Sequence, residues 1–348
     1  MAGRGAVEGV GMSAFWRGRR VLVTGATGLV GSWLTKRLLE LGAEVTAFIL
    51  EDDSRSELAR SGALREVRVA HGALEDIAAL ERTIGVQGTE VVFHLGAQAE
   101  VPKALRSPLA TFEANIRGTY HVLEACREHR DVVERIVYAS SDKVYGDREK
   151  LCREEMALEP RHPYEVSKLC GEQLMRSYYA TYGLRLGIAR CGNIYGGGDL
   201  HWDRIVPGTV RSLWRRQPPV IRSNGRLVRD YFYVADAAQA YLTLAEQLDR
   251  DEVCGQAFNF SAEIPLTVLE IVEQIQRLMG ASPVEPIILN QAVGEITIQM
   301  LSAEKARGVL GWTPQWTLEA GLAETIAWYR AFFEGQEDRM AVQKAAPT

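Results

Sequence analysis

The N-terminal half of the chain alternates short apolar runs with stretches in which apolar residues recur every three or four positions. Short runs rich in Val, Leu and Ile are typical of buried strands, and the recurring pattern is typical of helices with one apolar face. Strands that alternate with helices form a parallel sheet covered on both faces, so the pattern predicts a doubly wound α/β fold. The predicted strands lie at 20–24, 45–50, 67–70, 91–95, 135–139 and 186–189, and the clearest helices at 29–41 and 118–129.

The pattern changes near residue 193, where prolines and glycines become frequent. Helices are still predicted there, which indicates a smaller α/β lobe whose loops cover a ligand. These helices lie at 235–248, 266–279 and 318–333. We therefore expect four parts: a flexible leader at 1–18, a large domain at 19–192, a lobe mainly at 193–334 with some segments returning to the large domain, and a flexible tail at 335–348.

Composition narrows the classes of protein to consider. The net charge is −5 and no basic block is present, which argues against nucleic acid as a partner. No apolar run approaches the ~18 residues of a membrane span, and the first residues lack the apolar core of a secretory signal. The five cysteines have no C-x-x-C spacing, so neither a zinc site nor a disulfide framework is predicted. We expect a cytoplasmic protein without a metal.

A glycine-rich turn separates the first predicted strand from the first helix. Gly25, Gly28 and Gly31 have the spacing G-x-x-G-x-x-G. Glycines in this position allow a tight turn whose backbone N–H groups approach a pyrophosphate, and the helix N-terminus adds partial positive charge there. The turn predicts a Rossmann-type dinucleotide site in 19–192. The cofactor contacts expected from it are Gly25, Thr27, Gly28, Leu29 and Val30.

Acidic residues follow the second predicted strand. Glu51 and Asp52 lie at the interval from the first glycine that is expected for the carboxylate holding the adenosine ribose. A carboxylate repels a 2′-phosphate, which favours NAD over NADP. Two alternatives stay open: the acids simply begin a solvated loop, or the nearby Arg55 favours a phosphate.

Tyr164 and Lys168 are four residues apart, so on a helix they share one face. A lysine ammonium beside a phenol favours the phenolate, which lets tyrosine act as a base near neutral pH. Ser141 directly follows the fifth predicted strand, at the edge of the sheet where ligands bind in parallel α/β proteins. Y-x-x-x-K occurs often by chance as a surface pair. With the glycine turn and Ser141, it predicts a catalytic group.

These motifs resemble those of the extended short-chain dehydrogenases/reductases of nucleotide-sugar metabolism, over residues 19–332. Within that family the chain is most similar to CDP-glucose 4,6-dehydratases, through segments 15–18, 31–34, 141–143, 196–199 and 203–207. The family motifs matched are Gly25, Gly28 and Gly31, segment 94–98, Asn115, Ser141, Tyr164, Lys168, and segments 190–196, 229–236 and 310–314.

The resemblance implies further site residues and a homodimer. Leu74, Leu95 and Ala97 are expected to contact NAD together with Tyr164 and Lys168, and the helices that begin near 118 and 164 are expected to pair with their copies. For two of the predicted substrate ligands a structural role is the alternative: Asn193 could simply be a turn asparagine, and Arg229 could form a salt bridge. The expected ligands of the nucleotide sugar are Gln98, Ser141, Asn193, Arg204 and Arg229.

The implied activity is NAD-dependent 4,6-dehydration of a nucleotide hexose to a 4-keto-6-deoxy sugar. By position after Ser141, Asp142 is expected to be the acid and Lys143 the base of the elimination. A nucleotide-sugar 4-epimerase is the alternative, and it needs no such pair. A non-catalytic NAD-binding protein is a third hypothesis, against which the intact set of Ser141, Tyr164 and Lys168 argues.

Overall fold

The computed structural model describes residues 12–148, 150–281, 284–291 and 296–345, with side chains described only from 14 to 336. Its strands are β1 (Arg20–Thr24), β2 (Glu44–Ile49), β3 (Arg68–His71), β4 (Val91–His94), β5 (Arg135–Ala139), β6 (Leu186–Cys191), β7 (Asn193–Tyr195), β8 (Val220–Ile221), β9 (Val228–Tyr233), β10 (Ala257–Phe260), β11 (Pro265–Thr267) and β12 (Ile287–Ile288).

The α-helices cover the sheets and connect the strands. They are α1 (Met12–Trp16), α2 (Leu29–Glu40), α3 (Glu57–Arg60), α4 (Ile77–Gln87), α5 (Val101–Arg106), α6 (Pro108–Phe112), α7 (Gly118–Glu128), α8 (Pro163–Tyr182), α9 (Ile205–Trp214), α10 (Val234–Glu246), α11 (Val268–Met279) and α12 (Leu318–Ala345). In the described part of the chain, none of them is long and apolar enough to cross a bilayer.

The large sheet has the strand order β3-β2-β1-β4-β5-β6-β10, and all neighbouring strands are parallel. Successive side chains of a strand point to opposite faces, so each face is apolar. In β1, Val21 and Val23 pack in the core that includes α2 and α10, whereas Leu22 packs in the core that includes α4, α7 and α8. This arrangement confirms the predicted doubly wound α/β fold.

All six strands predicted for the large sheet are present, with ends shifted by at most two residues. The seventh, β10, comes from the second half of the chain and pairs with β6. The smaller lobe contains a sheet of β7, β9 and β11, a pair formed by β8 and β12, and a core built largely from α9, α11 and α12. We keep the division of the chain at residue 193 as a proposal, with β10 assigned to the large sheet.

The predicted leader at 1–18 extends too far. Trp16, in α1, is fully buried in the core beside α2, and its indole Nε1 donates a hydrogen bond of 2.5 Å to Glu246 of α10. A tryptophan removes much apolar surface from water, which anchors this part of the chain. Residues 1–11 lie outside the described residues. At the other end, the segment expected to be a flexible tail is helical as far as Ala345, and 346–348 are not described.

A buried ion pair connects helix α8 to strand β6 in the large domain. Glu172 of α8 and Arg190 of β6 are both fully buried and form two hydrogen bonds, of 2.8 and 2.6 Å. Ser140, after β5, donates to Glu172 at 2.5 Å. Arg190 also donates to the Tyr145 hydroxyl, which in turn donates to Asn259 of β10. Every charge in this network therefore has a partner, as burial requires.

Removing one member of the pair leaves the other as a buried, uncompensated charge. We expect Arg190→Met to lower the free energy of unfolding by ~3–5 kcal/mol, measured by urea denaturation. Arg176→Met is the matched control, because Arg176 is 46% exposed and only 3.9 Å from the same Glu172 carboxylate. Because the Arg176 guanidinium is partly in water and Glu172 keeps Arg190 as its partner, the loss should be close to the ~0–1 kcal/mol of a surface pair. Equal losses in the two variants would contradict the role assigned to Arg190.

Candidate active site

The turn after β1 forms a cradle of backbone N–H groups. Gly25 has φ +69°, and a Cβ there would lie 2.8 Å from backbone atoms of Gly96. A Cβ on Gly31 would lie 2.1 Å from the Gly25 carbonyl oxygen, so the first turn of α2 can pack this closely only with glycine. Gly28 caps α2 without a side-chain hydrogen bond, which leaves the N–H groups at Leu29 and Val30 available. The cradle therefore fits the pyrophosphate of a dinucleotide.

The end of β2 carries the charges expected at the adenosine ribose. Glu51 and Asp52 are exposed, and Asp52 lies 3.1 Å from His71 Nε2 at the end of β3. Arg55 donates hydrogen bonds to Asp53 from its backbone N–H and its Nε. Arg55, the cation that could have attracted the 2′-phosphate of NADP, is thus paired with a carboxylate. This pairing supports NAD as the cofactor.

A buried hydrogen-bond chain fixes the loop after β4. His94 lies between the hydroxyls of Thr24 and Thr119, at 2.9 and 3.1 Å. Burial, with a smaller effect of Lys168, lowers the His94 pKa to about 3, so the imidazole is neutral. Gly96 donates its backbone N–H to Thr24. The half-buried Leu95 and Ala97 are held beside the glycine cradle in this way, and His94 is a structural residue.

Ser141 begins a tight turn at the carboxyl end of β5. Its hydroxyl donates to Asp142 Oδ1 at 2.9 Å and accepts the backbone N–H of Lys143 at 3.2 Å. Lys143 Nζ lies 3.4 Å from the same Asp142 oxygen. The side chain of Asp142 is 4% exposed and that of Lys143 is 20% exposed. A hydroxyl, a carboxylate and an ammonium therefore meet within one turn of chain.

Tyr164 and Lys168 lie on the first two turns of α8. Lys168 is buried and donates to the Ala139 carbonyl at 2.8 Å. Burial lowers the Lys168 pKa to about 8, and the negative charge of Glu172 limits this effect. Burial raises the Tyr164 pKa to about 12, while its hydrogen bond with Ser141 acts in the opposite direction. Lys168 thus titrates close to neutral pH, and Tyr164 needs nearby positive charge to become a base.

Asn115 connects the loop after β4 to the helix that carries Tyr164. Its amide exchanges hydrogen bonds with the backbone of Gln98, at 2.7 and 3.0 Å, and donates to Ser167 at 2.9 Å. Ser167 in turn donates to the Tyr164 carbonyl. The side chain of Gln98 is bonded to the backbone of Glu100, so its predicted contact with the substrate stays a prediction.

Three residues predicted to bind the substrate come from the second half of the chain. Asn193 Nδ2 is buried and has no hydrogen-bond partner among the described residues. Arg204 pairs with Asp199 at 3.0 Å, and its charge lies close enough to oppose the rise in the Tyr164 pKa. Arg229 donates to the carbonyls of Val228 and Ile296 through Nη1. The roles predicted for Asn193, Arg204 and Arg229 toward a substrate stay predictions.

Gln299 is a site residue that the sequence analysis missed. Its Oε1 lies 3.5 Å from Lys143 Nζ, although the two residues are 156 positions apart. It is 5% exposed, and its Nε2 is buried without a partner among the described residues. No motif or periodic pattern marks this position. The backbone of this segment pairs with Val228 of β9, and its neighbours Thr297 and Met300 bond to Asp147 and Cys152, which brings Gln299 to the turn after β5.

Comparison with known families agrees with this geometry. The model of the NAD dependent epimerase/dehydratase family matches residues 21–260, which include the cradle, the turn after β5 and the Tyr164 helix. The chain belongs to the NAD dependent epimerase/dehydratase family. This membership confirms the predicted superfamily, and the NAD dependence of the family confirms the predicted cofactor.

Several members of the family are similar over most of their length. CDP-glucose 4,6-dehydratase of Salmonella typhimurium is 31% identical over 93% of this chain and 94% of its own. The structure of dTDP-glucose 4,6-dehydratase DesIV of Streptomyces venezuelae, with NAD and TYD bound, has a TM-score of 0.80 and 27% identity, covering 90% and 97%. UDP-glucose 4-epimerase of Thermotoga maritima, with UDP-glucose, has a TM-score of 0.82 and 27% identity, covering 90% and 99%.

Lys168 is expected to set an alkaline limit on catalysis. The sequence analysis predicts that the Lys168 ammonium supports a Tyr164 phenolate, and this ammonium is lost as the pH rises through the Lys168 pKa of about 8. The value of kcat/KM should then fall ~10-fold per pH unit above that point. In Lys168→Arg the guanidinium stays charged, so the alkaline decline should disappear even though the rate is lower. An unchanged decline in the arginine variant would assign it to another group.

Proposed function

We propose that the protein is a nucleotide-sugar 4,6-dehydratase that forms a 4-keto-6-deoxy sugar, with a CDP-hexose as its substrate. The observation that carries this proposal is the buried Asp142 beside Lys143 in the turn that begins with Ser141. Elimination of water needs an acid and a base in addition to the group that assists oxidation. The 31% identity with a CDP-glucose 4,6-dehydratase supports the choice of nucleotide.

Each residue of the site has a task in this reaction. The glycine cradle would hold NAD, which would supply the hydride acceptor for carbon 4 and the hydride donor for carbon 6. Tyr164 removes the proton of the 4-hydroxyl, and the ammonium of Lys168 stabilises the phenolate. Ser141 holds a hydrogen bond to Tyr164 and lies where it can orient the same hydroxyl. Asp142 and Lys143 then provide the acid and the base for the elimination of water across carbons 5 and 6.

We assign the nucleotide sugar to the region beside Tyr164 that faces Asn193 and Arg204. Asn193 carries a buried, unpartnered amide nitrogen, and Arg204 brings positive charge close to Tyr164. Arg229, 8% exposed, would contribute a guanidinium, which suits bidentate contact with a diphosphate. These are the contacts that a substrate with a charged diphosphate and several hydroxyls requires.

A 4-epimerase is the second candidate, since the Thermotoga maritima UDP-glucose 4-epimerase has a closely similar fold. An epimerase shares the oxidation step, after which the 4-keto sugar rotates in the site and is reduced again. It has no use for an acid and a base beside Ser141. The pair formed by Asp142 and Lys143 therefore favours the dehydratase.

Product mass separates the two candidates. Incubation with CDP-glucose should give a product lighter by one water, detected by mass spectrometry, and the rate should exceed that with dTDP-glucose or UDP-glucose. Tyr164→Phe should lower kcat ~10²–10⁴-fold, as expected for loss of a general base. A product with the mass of the substrate would establish the epimerase instead, and preference for another nucleotide would correct the substrate.

We also propose a cytoplasmic homodimer formed by α7 and α8. The two helices lie side by side, and the Tyr178 hydroxyl donates to Glu124 across them at 2.9 Å. Met175 of α8 is fully buried against the protein's own sheet, so it is not available to a second copy. Leu169 and Leu174 are half-buried, so part of each side chain remains available for contact with a second copy.

Association is expected at micromolar concentration because pairing of these helices with their copies would form a compact, self-complementary interface. Light scattering coupled to size-exclusion chromatography should therefore give a mass near twice that of the 38.6 kDa chain. A constant monomer mass across this concentration range would rule the dimer out.

A further inference from the structure

The amine of Lys168 lies over the aromatic ring of Tyr138 in β5. The distance from Nζ to the ring centroid is 5.1 Å, within the ~6 Å over which a ring attracts a cation. The same amine donates to the carbonyl of Ala139, the next residue of β5, at 2.8 Å. Two consecutive residues of one strand therefore contact this amine, one through its ring and the other through its backbone.

Packing fixes the position of the Tyr138 ring. The residue is 1% exposed and belongs to the core that includes α7 and α8, and its ring lies 5.6 Å from that of His94 in β4, centroid to centroid. A Cβ on Gly171 of α8 would lie 2.1 Å from the Tyr138 hydroxyl oxygen, so a glycine is needed there. Gly171 follows Lys168 by three residues and shares its face of the helix. The ring therefore packs directly against the helical turn that carries Lys168.

The charge of Lys168 depends on few neighbours because the amine is buried. The titratable groups around it are Glu172 and Tyr164 of α8, His94 of β4 and Tyr138 of β5. Burial lowers the His94 pKa to about 3 and raises the Tyr138 pKa well above its ordinary value, so both side chains are neutral. Glu172 is the charged member of this set, and it already belongs to the ion pair with Arg190.

A neutral phenol can still stabilise a cation, because the face of an aromatic ring carries partial negative charge. The attraction is larger when both groups are removed from water, and here Lys168 is 4% and Tyr138 1% exposed. The ring attracts the ammonium but has no charge to attract on a neutral amine. It therefore opposes burial, which favours the neutral amine.

We propose that Tyr138 is a positioning residue of the active site, whose ring face holds Lys168 as an ammonium beside Tyr164. The inference rests on the proposed function, in which this ammonium stabilises the Tyr164 phenolate. Tyr138 acts through Lys168 and not by contact with the substrate. Its contribution is therefore measured as a change in the pH at which Lys168 loses its proton.

Removal of the ring tests this role directly. In Tyr138→Leu the Lys168 pKa should be ~0.5–1.5 lower than in the wild-type protein, as expected for loss of a cation–π contact that is shielded from water. The pKa is measured by NMR titration of the NAD-bound full-length protein, labelled with carbon-13 at the lysine ε-carbons. Lys168→Arg identifies the Lys168 signal by its loss. Tyr138→Phe keeps the ring and should leave the pKa nearly unchanged.

The matched control is Phe93→Leu. Phe93 is also a fully buried aromatic residue, on the neighbouring strand β4, but its ring contacts Trp16 instead of a lysine. The substitution should lower the free energy of unfolding, measured by urea denaturation, and leave the Lys168 pKa unchanged. An equal fall of the pKa in Phe93→Leu and Tyr138→Leu would mean that any loss of core packing affects Lys168, and it would overturn the proposal.

Fluorination separates the charge distribution of the ring from its packing. Phenylalanines with one, two or three ring fluorines, incorporated at position 138, nearly keep the shape of phenylalanine but have a progressively less negative ring face. The Lys168 pKa should fall stepwise along this series. If the trifluorinated variant and Tyr138→Phe have the same Lys168 pKa, the proposal is wrong, and this comparison holds even if Tyr138→Leu does not fold.

Activity gives a second measurement. The alkaline decline of kcat/KM with CDP-glucose should begin at a lower pH in Tyr138→Leu, by the amount found in the titration, because the ammonium is lost earlier. The titration itself needs no turnover, so it tests the contact even if the protein is not a dehydratase. If the wild-type protein dehydrates CDP-glucose and Tyr138→Leu has an unchanged Lys168 pKa, the role of Tyr138 alone is disproved.

Discussion

The buried ion pair between Glu172 and Arg190 is the interaction on which the geometry of the site depends. It is placed between the sheet and α8, where neither charge reaches water. A charge of this kind is tolerated only when its partner is held in place, so the pair fixes how α8 lies against β6. Because Glu172 also accepts from Ser140, the same constraint fixes the end of β5.

The ion pair also positions the groups that we propose to be catalytic. Lys168 lies one helical turn before Glu172, and Ser141 directly follows Ser140, so both functional groups are attached to elements that the ion pair joins. Glu172 also keeps the pKa of the buried Lys168 from falling further. A structural charge thus acts through its electric field on the lysine that we propose to be catalytic.

Much of the fold and part of the site could be predicted because their signals are local. The glycine turn and the Tyr164–Lys168 spacing act through adjacent backbone or a single helical face, so a short stretch of sequence specifies them. Six of the seven strands of the large sheet were recognised because buried parallel strands form continuous apolar runs in the sequence. Trp16 was misassigned to the leader because its burial depends on α10, more than two hundred residues away.

What the sequence alone determined is therefore the doubly wound sheet, the glycine-rich turn of the dinucleotide cradle and the use of NAD. Tertiary structure decided which side chains surround Asp142 and Lys143. Gln299 reaches them because segment 296–300 lies between β9, where Arg229 donates to the Ile296 carbonyl, and the chain after β5, where Cys152 donates to the Met300 carbonyl. Hydrogen bonds between residues so far apart produce no recurring pattern in the sequence, because their geometry depends on how the lobe packs against the large sheet.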